Sequence, residues 1–583
     1  MGLSLSDPPS IPVFDRQFFT GRERFTAIGR GALGGKAQGL ARMHQLIEGT
    51  LAAPFRPEIE VSVPTLTVIA TDMFDLFMKQ NNLIDLAMSD LRDDVIASAF
   101  QKADLPAQLV GDLRALIAQV QTPLAVRSSS LLEDAIFEPF ASVYATKMIP
   151  NNQLDTDSRF RKLVEAVKFI YASTFFRDAK NYIRATKHAT TDEKMAVIIQ
   201  EVVGLRHGPR FYPDISGVAR SHNFYPLGHA KPADGIINLA LGLGKMIVDD
   251  GVAWSFSPVH PQANPPYNVL DDLLNQTQNE FWAIRMESPV EYNPIRETEY
   301  LRKYSLGDAE KDGVLRFLAS TYRAQDDKIV YGIAEPGPRV VDFAPILKFD
   351  LLPLNGLLRR LLKLCEDALD RMVEIEFAMT LDERCGKPAR FGFLQVRPMV
   401  VSSAEVELRP SDLEGQDVLL ASDAALGNGA REDIQDVVYA RPDKFNVHHS
   451  EAVAVELEGL NRELQTLGRP YLLIGFGRWG TSDPQAGIPV NFGQISGAKV
   501  VVESALPETS CLLSQGSHFF HNITSFRVFY FSISPFDKYK IDWEWLNRQP
   551  AARETGFVRH VRLSSPLKIM VDGTTSRGVI RHG

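Results

Sequence analysis

Two short strand-like runs constrain the fold of this chain more than any other feature. VEIEFAMT (Val373 to Thr380) and RFGFLQVRP (Arg390 to Pro398) are rich in β-branched and aromatic residues, and Asp382 to Pro388 between them contains a glycine and a proline. That combination predicts a β-hairpin. Side chains alternate faces along a strand, so Glu374 and Glu376, two apart, point the same way, as do Gln395 and Arg397 on the partner. Pairing the strands therefore gathers two carboxylates, an amide and a guanidinium on one surface. Neighbouring carboxylates repel unless a cation or an arginine lies between them. Oxygen donors at this density suit Mg2+, which takes one or two protein carboxylates and completes its shell with phosphates and water. A solvated strand of alternating charge is the other reading. Phe377, Phe391, Phe393 and Leu394 at the neighbouring positions weigh against it.

Upstream segments carry complementary charge. GALGGKAQGL has glycines at 31, 34, 35 and 39 around Lys36, and it opens into an apolar-periodic helix. Glycine lets backbone amides approach an anion, a helix N-terminus adds positive potential, and Lys36 adds a full charge. The Gly-Lys-Ser/Thr ending of a Walker A loop is missing. A glycine-rich turn with a solvated lysine is the alternative. TPLAVRSSS (Thr122 to Ser130) sets Arg127 inside an apolar strand, where a charge needs an anionic partner: a ligand, or a salt bridge to Glu133 or Asp134. LALGLGKMIVDDG adds the turn-like pair Gly242 and Gly244, followed by Lys245.

Length and composition frame these motifs. At about 100–200 residues per domain, 583 residues predict three or four compact units. The balance of 45% hydrophobic and 23% charged residues excludes wholesale disorder and a collagen-like repeat. A net charge of −9 argues against non-specific nucleic-acid binding. Cys365, Cys385 and Cys511 form no CxxC pair, which argues against a structural zinc site and a disulfide framework and suits a reducing, cytoplasmic setting. No signal-like start is visible, and no run nears the roughly 20 apolar residues of a membrane span. Strand texture at VSVPTLTVIAT (Val61 to Thr71) and MAVIIQEVV (Met195 to Val203) alternates with helical spacing over Met73 to Val120, Ser158 to Lys187 and Leu354 to Asp370. The helical stretch breaks near Leu105-Pro106, and the segment running to Pro345 is polar and poorly patterned. Composition turns polar and acidic between Ser402 and Gly415, a candidate boundary. Beyond it come a helix over Ser450 to Leu467 and strands at YLLIGFG, AKVVVES and FRVFYFSIS. The whole reads as α/β (α+β).

GGKAQGL, VPTLTVIATDMF, AVRSSSLLEDA with FASVYAT, MAVIIQEVV, GLGKMIVDDG, and EIEF with LQVRP follow one another here. In that order they resemble the N-terminal nucleotide-binding region of the phosphoenolpyruvate synthase and pyruvate phosphate dikinase family, over roughly residues 20 to 400. The resemblance implies an ATP-grasp-like region in two lobes, 1–190 and 191–402, followed by a smaller C-terminal α/β domain, 416–583. It implies an ATP-dependent phosphotransferase using ATP and Mg2+, passing phosphate to a histidine on a separate swivelling domain. By position, Lys36 and Arg127 would contact phosphates, and Glu374 and Glu376 would be metal-side carboxylates. Gln395 and Arg397 would complete the triphosphate site, with Arg397 acting in the transfer. Gln200 to Val202 would border the adenine, and Gly242 and Gly244 would line the cofactor. Phosphoryl transfer is mostly positioning and charge neutralisation, which these residue types supply.

The departures from the family bear on function. The chain is expected to lack room for the family's C-terminal barrel, the Thr-Ser-His-Ala phosphohistidine signature has no clear copy, and Lys245 stands where relatives often carry glutamate. A non-catalytic nucleotide-binding regulatory or partner protein, or one half of a split dikinase, are the alternatives. A partner subunit or a homo-oligomer is compatible with either. In the C-terminal part, SQGSHFFHN sets His518 and His521 three apart without a third ligand to make a metal centre. His518 is the candidate phosphoryl acceptor, a neutral imidazole whose phosphorylated form a helix N-terminus would stabilise. Two satisfied histidines among phenylalanines are the structural alternative. Arg478 and Asp483 read equally as a loop-locking pair or as part of a site for an unknown acceptor.

Overall fold

Pro64 marks where the first two sheets are joined. In the computed structural model the run read as one strand is two, Ile59–Ser62 and Leu66–Ile69, and they belong to different sheets. Proline has no N–H to donate and holds the preceding residue extended, so the ladder stops there and a new one starts. The structure describes residues 11–582 except 52–57, 132–142, 186–192, 225–229, 249–251, 264–273, 275–276, 288–290, 382–387, 400–405, 482–483, 505–522, 524–527, 535–537 and 574.

The first sheet has five strands in the order Phe25–Ile28, Leu66–Ile69, Met195–Glu201, Leu124–Ser130, Thr146–Ile149. Helices Thr71–Gln80, Asp93–Lys102, Ala107–Gln119 and Thr156–Ser173 bury Phe77, Phe100, Leu116 and Tyr171 against one side of it. The expected break near Leu105-Pro106 separates two of them. Against the other side lies helix Gly34–Leu46, which buries Ala37, Leu40 and Met43 with Val68, Ile198 and Val396.

The second sheet has six strands: Trp254–Phe256, Ile236–Ala240, Ile215–Arg220, Val373–Thr380, Ala389–Pro398, Ile59–Ser62. Helix Leu354–Leu369 packs Leu357, Leu361 and Cys365 onto its back, among Ile375, Phe377 and Phe391. Burial there pushes the Cys365 thiol up to about 12. The lobes expected at 1–190 and 191–402 thus share strands, since Ile59–Ser62 lies in the second sheet and Met195–Glu201 in the first.

The segment before Pro345, which has no clear pattern, contains further strands. Glu280–Arg285 and Leu301–Ser305 join Leu205–His207 and Arg210–Tyr212 in a four-stranded sheet, and Ser320–Arg323 centres a three-stranded one. Leu301–Ser305 leaves Arg302 and Lys303 exposed, so no period-two apolar signal marks it.

Beyond the expected boundary, a nine-stranded sheet runs from Val418–Ser422 to Arg577–Arg581, with Gly429–Ala440, Tyr471–Phe476, Ala498–Ser504 and Phe529–Ile533 parallel neighbours. Helix Ser450–Thr466 covers the face that shares a core with the first lobe. Asn491 Nδ2 donates to Asp178 Oδ1 at 2.7 Å, and the Tyr182 and Phe492 rings lie 6.0 Å apart, so the two regions are packed together. Mixed α/β layers extend through the chain, as expected. No helix of the described residues is long and apolar enough to cross a membrane.

Candidate functional site

The hairpin forms in the register that the alternation requires: Glu374 sits opposite Arg397 and Glu376 opposite Gln395. A bulge at Leu394 follows, which lets the phenylalanines keep to the back while the polar residues face front. The turn residues 382–387 lie outside the described residues. A third strand adds a residue that the sequence reading passed over. Arg220 lies opposite Glu374 on the outer side, and Val218 lies opposite Glu376.

Glu374 is thereby gripped by two guanidiniums. Arg397 Nε donates to its Oε1 at 2.5 Å and Arg220 Nε to its Oε2 at 2.5 Å, all three residues being buried. Arg397 also reaches Glu376 Oε1 at 3.2 Å, and Glu376 is the more open carboxylate, its side chain 18% exposed against 2% for Glu374. The signal for Arg220 was present: it ends the apolar strand ISGVAR, as anomalous there as Arg127 is in its own strand.

Arg127 answers the hairpin from the first sheet. Its guanidinium donates to Gln395 Oε1 at 2.8 Å, to the Leu394 carbonyl at 3.0 Å and to Gln200 Oε1 at 3.3 Å, and lies 3.8 Å from Glu376 Oε2. Glu133 and Asp134, the structural partners considered for it, lie outside the described residues. Gln200 is buried, and its Nε2 has no hydrogen-bond partner among the described residues. Val202, just beyond that strand, is half-buried and donates its N–H to the Pro123 carbonyl.

The glycine-rich loop is only partly what its composition suggests. Lys36 Nζ reaches Ser128 Oγ at 3.3 Å, beside Arg127. Ser129 Oγ accepts from the Ala37 amide and donates to the Leu33 carbonyl, fixing the start of the helix. Gly34 has φ +76°, and a Cβ there would lie 1.8 Å from the Ser129 carbonyl oxygen, so only glycine fits. Three amides at the start of the loop are used within the fold. Arg30 and Gly31 donate to the Asp72 carboxylate and Ala32 to Thr71 Oγ1, because Asp72 itself supplies the anion.

Gly242 and Gly244 form a turn whose backbone is likewise engaged. The Gly242 carbonyl accepts from Ser216 Oγ, and the Leu241 and Leu243 amides donate to Gln278 and Trp282. Lys245 Nζ stands 6.0 Å from the Trp282 ring centroid. His518, His521 and Asp483 lie outside the described residues, and Arg478 opens a two-residue strand paired with Gly487–Ile488.

Arg127, Arg220 and Arg397 thus surround Glu374 and Glu376, three cations to two carboxylates, an excess of positive charge suited to a polyanion. Among the described residues no group of three or more His, Cys, Asp or Glu is placed to hold a metal ion. Glu376 and Gln395 fit a divalent cation only if a ligand supplies further oxygens. Over residues 30–416, about two thirds of its length, the chain matches the family described as pyruvate phosphate dikinase, AMP/ATP-binding domain. It belongs to that family. No curated protein matches the chain. All the residues gathered where the two sheets meet lie within the AMP/ATP-binding span, and the nine-stranded sheet lies beyond it.

Proposed function

We propose that this chain is an ATP-dependent phosphotransferase that holds Mg-ATP between its two sheets and passes phosphate to a histidine or another acceptor. The observation that carries this reading is the junction of Arg127 from one sheet with Gln395 and Glu376 from the other, inside a patch where cations outnumber carboxylates. Lys36, Arg127 and Arg397 hold phosphate oxygens and neutralise the charge spread over the transferring group. A triphosphate bound at Arg127 would compete for the hydrogen bonds Arg127 gives to Gln395 and Leu394, leaving the Gln395 side-chain oxygen available to a cation. Glu376 is the principal metal-side carboxylate. Glu374, both of whose oxygens already accept from arginine, sets the guanidinium positions. Gln200, with its unpartnered Nε2, and Val202 border the base, and Gly242 and Gly244 shape the neighbouring wall. Magnesium, when bound, adds charge neutralisation along the phosphates. In the transfer a phosphoanhydride P–O bond would break as a P–N bond to a neutral imidazole forms, the nucleotide leaving as AMP or ADP and the ring's remaining N–H proton passing to water, with His518 the leading acceptor.

Isothermal titration of the full chain with Mg-ATP tests the first half of this reading. Saturable, magnesium-dependent binding is expected, and its absence ends the proposal. Incubation with β- and γ-labelled ATP tests the second. Acid-labile label on the protein is expected, and label retained in His518→Ala removes that acceptor.

A further inference from the structure

The edge of the first sheet carries a fastening that the site above does not use. Glu280–Arg285 and Leu301–Ser305 are paired strands of the four-stranded sheet, and residues 291–300 between them are tied as a strap to the edge strand Thr146–Ile149. Lys147 is buried there. It donates to the Pro294 and Arg296 carbonyls at 2.7 and 2.9 Å and pairs with Glu299 at 2.8 Å. The Asn293 amide donates to the other Glu299 oxygen at 3.1 Å, which closes the strap on itself. Thr146, opposite Arg127 in the ladder, gives its amide to Glu297 Oε1 at 3.3 Å. Tyr292 donates its hydroxyl to Glu165 on helix Thr156–Ser173 at 2.5 Å.

At its other end the strap leads into Glu280–Arg285, and that strand supports the Gly242 turn, which follows Ile236–Ala240 of the second sheet. The Leu243 amide donates to the Trp282 carbonyl. A Cβ on Gly242 would lie 2.7 Å from that oxygen and 3.0 Å from Phe281 Cβ, so the turn rests directly on the strand. The strand of Arg127 and the turn of Gly242 are therefore joined by one strut. Lys147 lies opposite Val126, on the helical face of the first sheet, so it acts through the strap and touches no ligand.

We propose that Lys147 is a positioning residue for the nucleotide: by pinning the strap it fixes how far the Gly242–Gly244 turn stands from Lys36 and Arg127. This rests on the Mg-ATP reading above, in which that turn lies on the base side and the two cations on the phosphate side. Burying an ammonium and a carboxylate is costly, but a hydrogen-bonded ion pair holds one register where an apolar contact would let the strap slide. ATP spans both ends of the strut, whereas tripolyphosphate engages the cations alone. The two ligands therefore separate spacing from charge.

The test is isothermal titration of the full chain with Mg-ATP and with Mg-tripolyphosphate, at a temperature where melting curves show each variant folded. Lys147→Met is expected to weaken Mg-ATP binding about tenfold and to leave Mg-tripolyphosphate within about twofold of wild type. Tyr292→Phe combined with Glu297→Ala removes two fastenings and keeps the Lys147–Glu299 pair. It is expected to shift the ratio the same way, and it decides the matter if Lys147→Met does not fold. Mg-ATP affinity unchanged in the folded variants overturns the inference, and so does equal weakening of both ligands, which a purely structural role would give. A wild-type chain that binds neither ligand removes the functional reading itself, and this inference with it.

Discussion

Replacing Arg220 with methionine is the sharpest probe of how the site is held. The change keeps most of the side chain's apolar bulk and removes one of the two guanidiniums that grip Glu374. Glu374 is 2% exposed, so water cannot take the place of the lost donor. Breaking a buried ion pair costs about 3–5 kcal/mol, and because Arg397 remains, the low end, about 3 kcal/mol, is expected. At roughly 2–4 °C per kcal/mol for folding units of this kind, the melting transition of the nucleotide lobes falls by about 6–12 °C. Glu374→Gln should be worse, because it leaves Arg220 and Arg397 facing each other across a neutral amide. Differential scanning fluorimetry of the three proteins gives the ranking, and titration with Mg-ATP should show Arg220→Met binding about tenfold more weakly as Arg397 loses its anchor. If Arg220→Met melts within a degree of wild type and binds nucleotide equally well, the buried triad does not organise the site and the reasoning is refuted.

Other perturbations separate the remaining contributions. Gly34→Ala forces a positive φ on alanine and drives its Cβ into the Ser129 carbonyl, so a loss of about 2–5 kcal/mol with weakened ATP binding is expected, and a neutral melting curve would contradict it. Lys36→Ala, at a half-buried position, should leave the melting temperature nearly unchanged yet reduce ATP affinity about 10–100-fold by titration. Glu376→Ala should abolish the magnesium dependence of ATP binding, whereas Glu374→Ala should lower stability first; a reversed pattern would exchange their roles. At the contact with the C-terminal region, burial, then Asp93 and Glu458, push the Asp178 carboxyl up to about 6. Its proton affinity is higher folded than unfolded, so its contribution favours the fold below about pH 4 and is lost as pH rises through 6. The Asp178 side chain is nevertheless open to solvent and accepts from Asn491, which screens the penalty, so Asp178→Asn should stabilise the protein at pH 8 by no more than about 1 kcal/mol and by little at pH 4, as melting curves at the two pH values would show.

The strand period of two is a local property: it put Glu374 with Glu376 and Gln395 with Arg397 on one face of each strand, and the hairpin expected from the short turn between them brought the two pairs together. Arg127 was legible for a related reason: a charge within an apolar strand demands a partner, wherever the chain supplies it. The order of the motifs likewise sufficed for the family and for mixed α/β layers. What stayed hidden depended on segments far apart in the chain. Arg220 reaches Glu374 because Ile215–Arg220 lies next to the hairpin in the sheet, a neighbourhood that no local pattern encodes. That the Arg30 and Gly31 amides are taken by Asp72, about forty residues away, was not legible in the loop's own composition. Pro64 marks a break in the sequence, but only the closing of two cores sends the halves of that run to different sheets. Propensity and periodicity act over a few residues, whereas burial and charge pairing are settled by whichever distant segments the collapsed chain brings together.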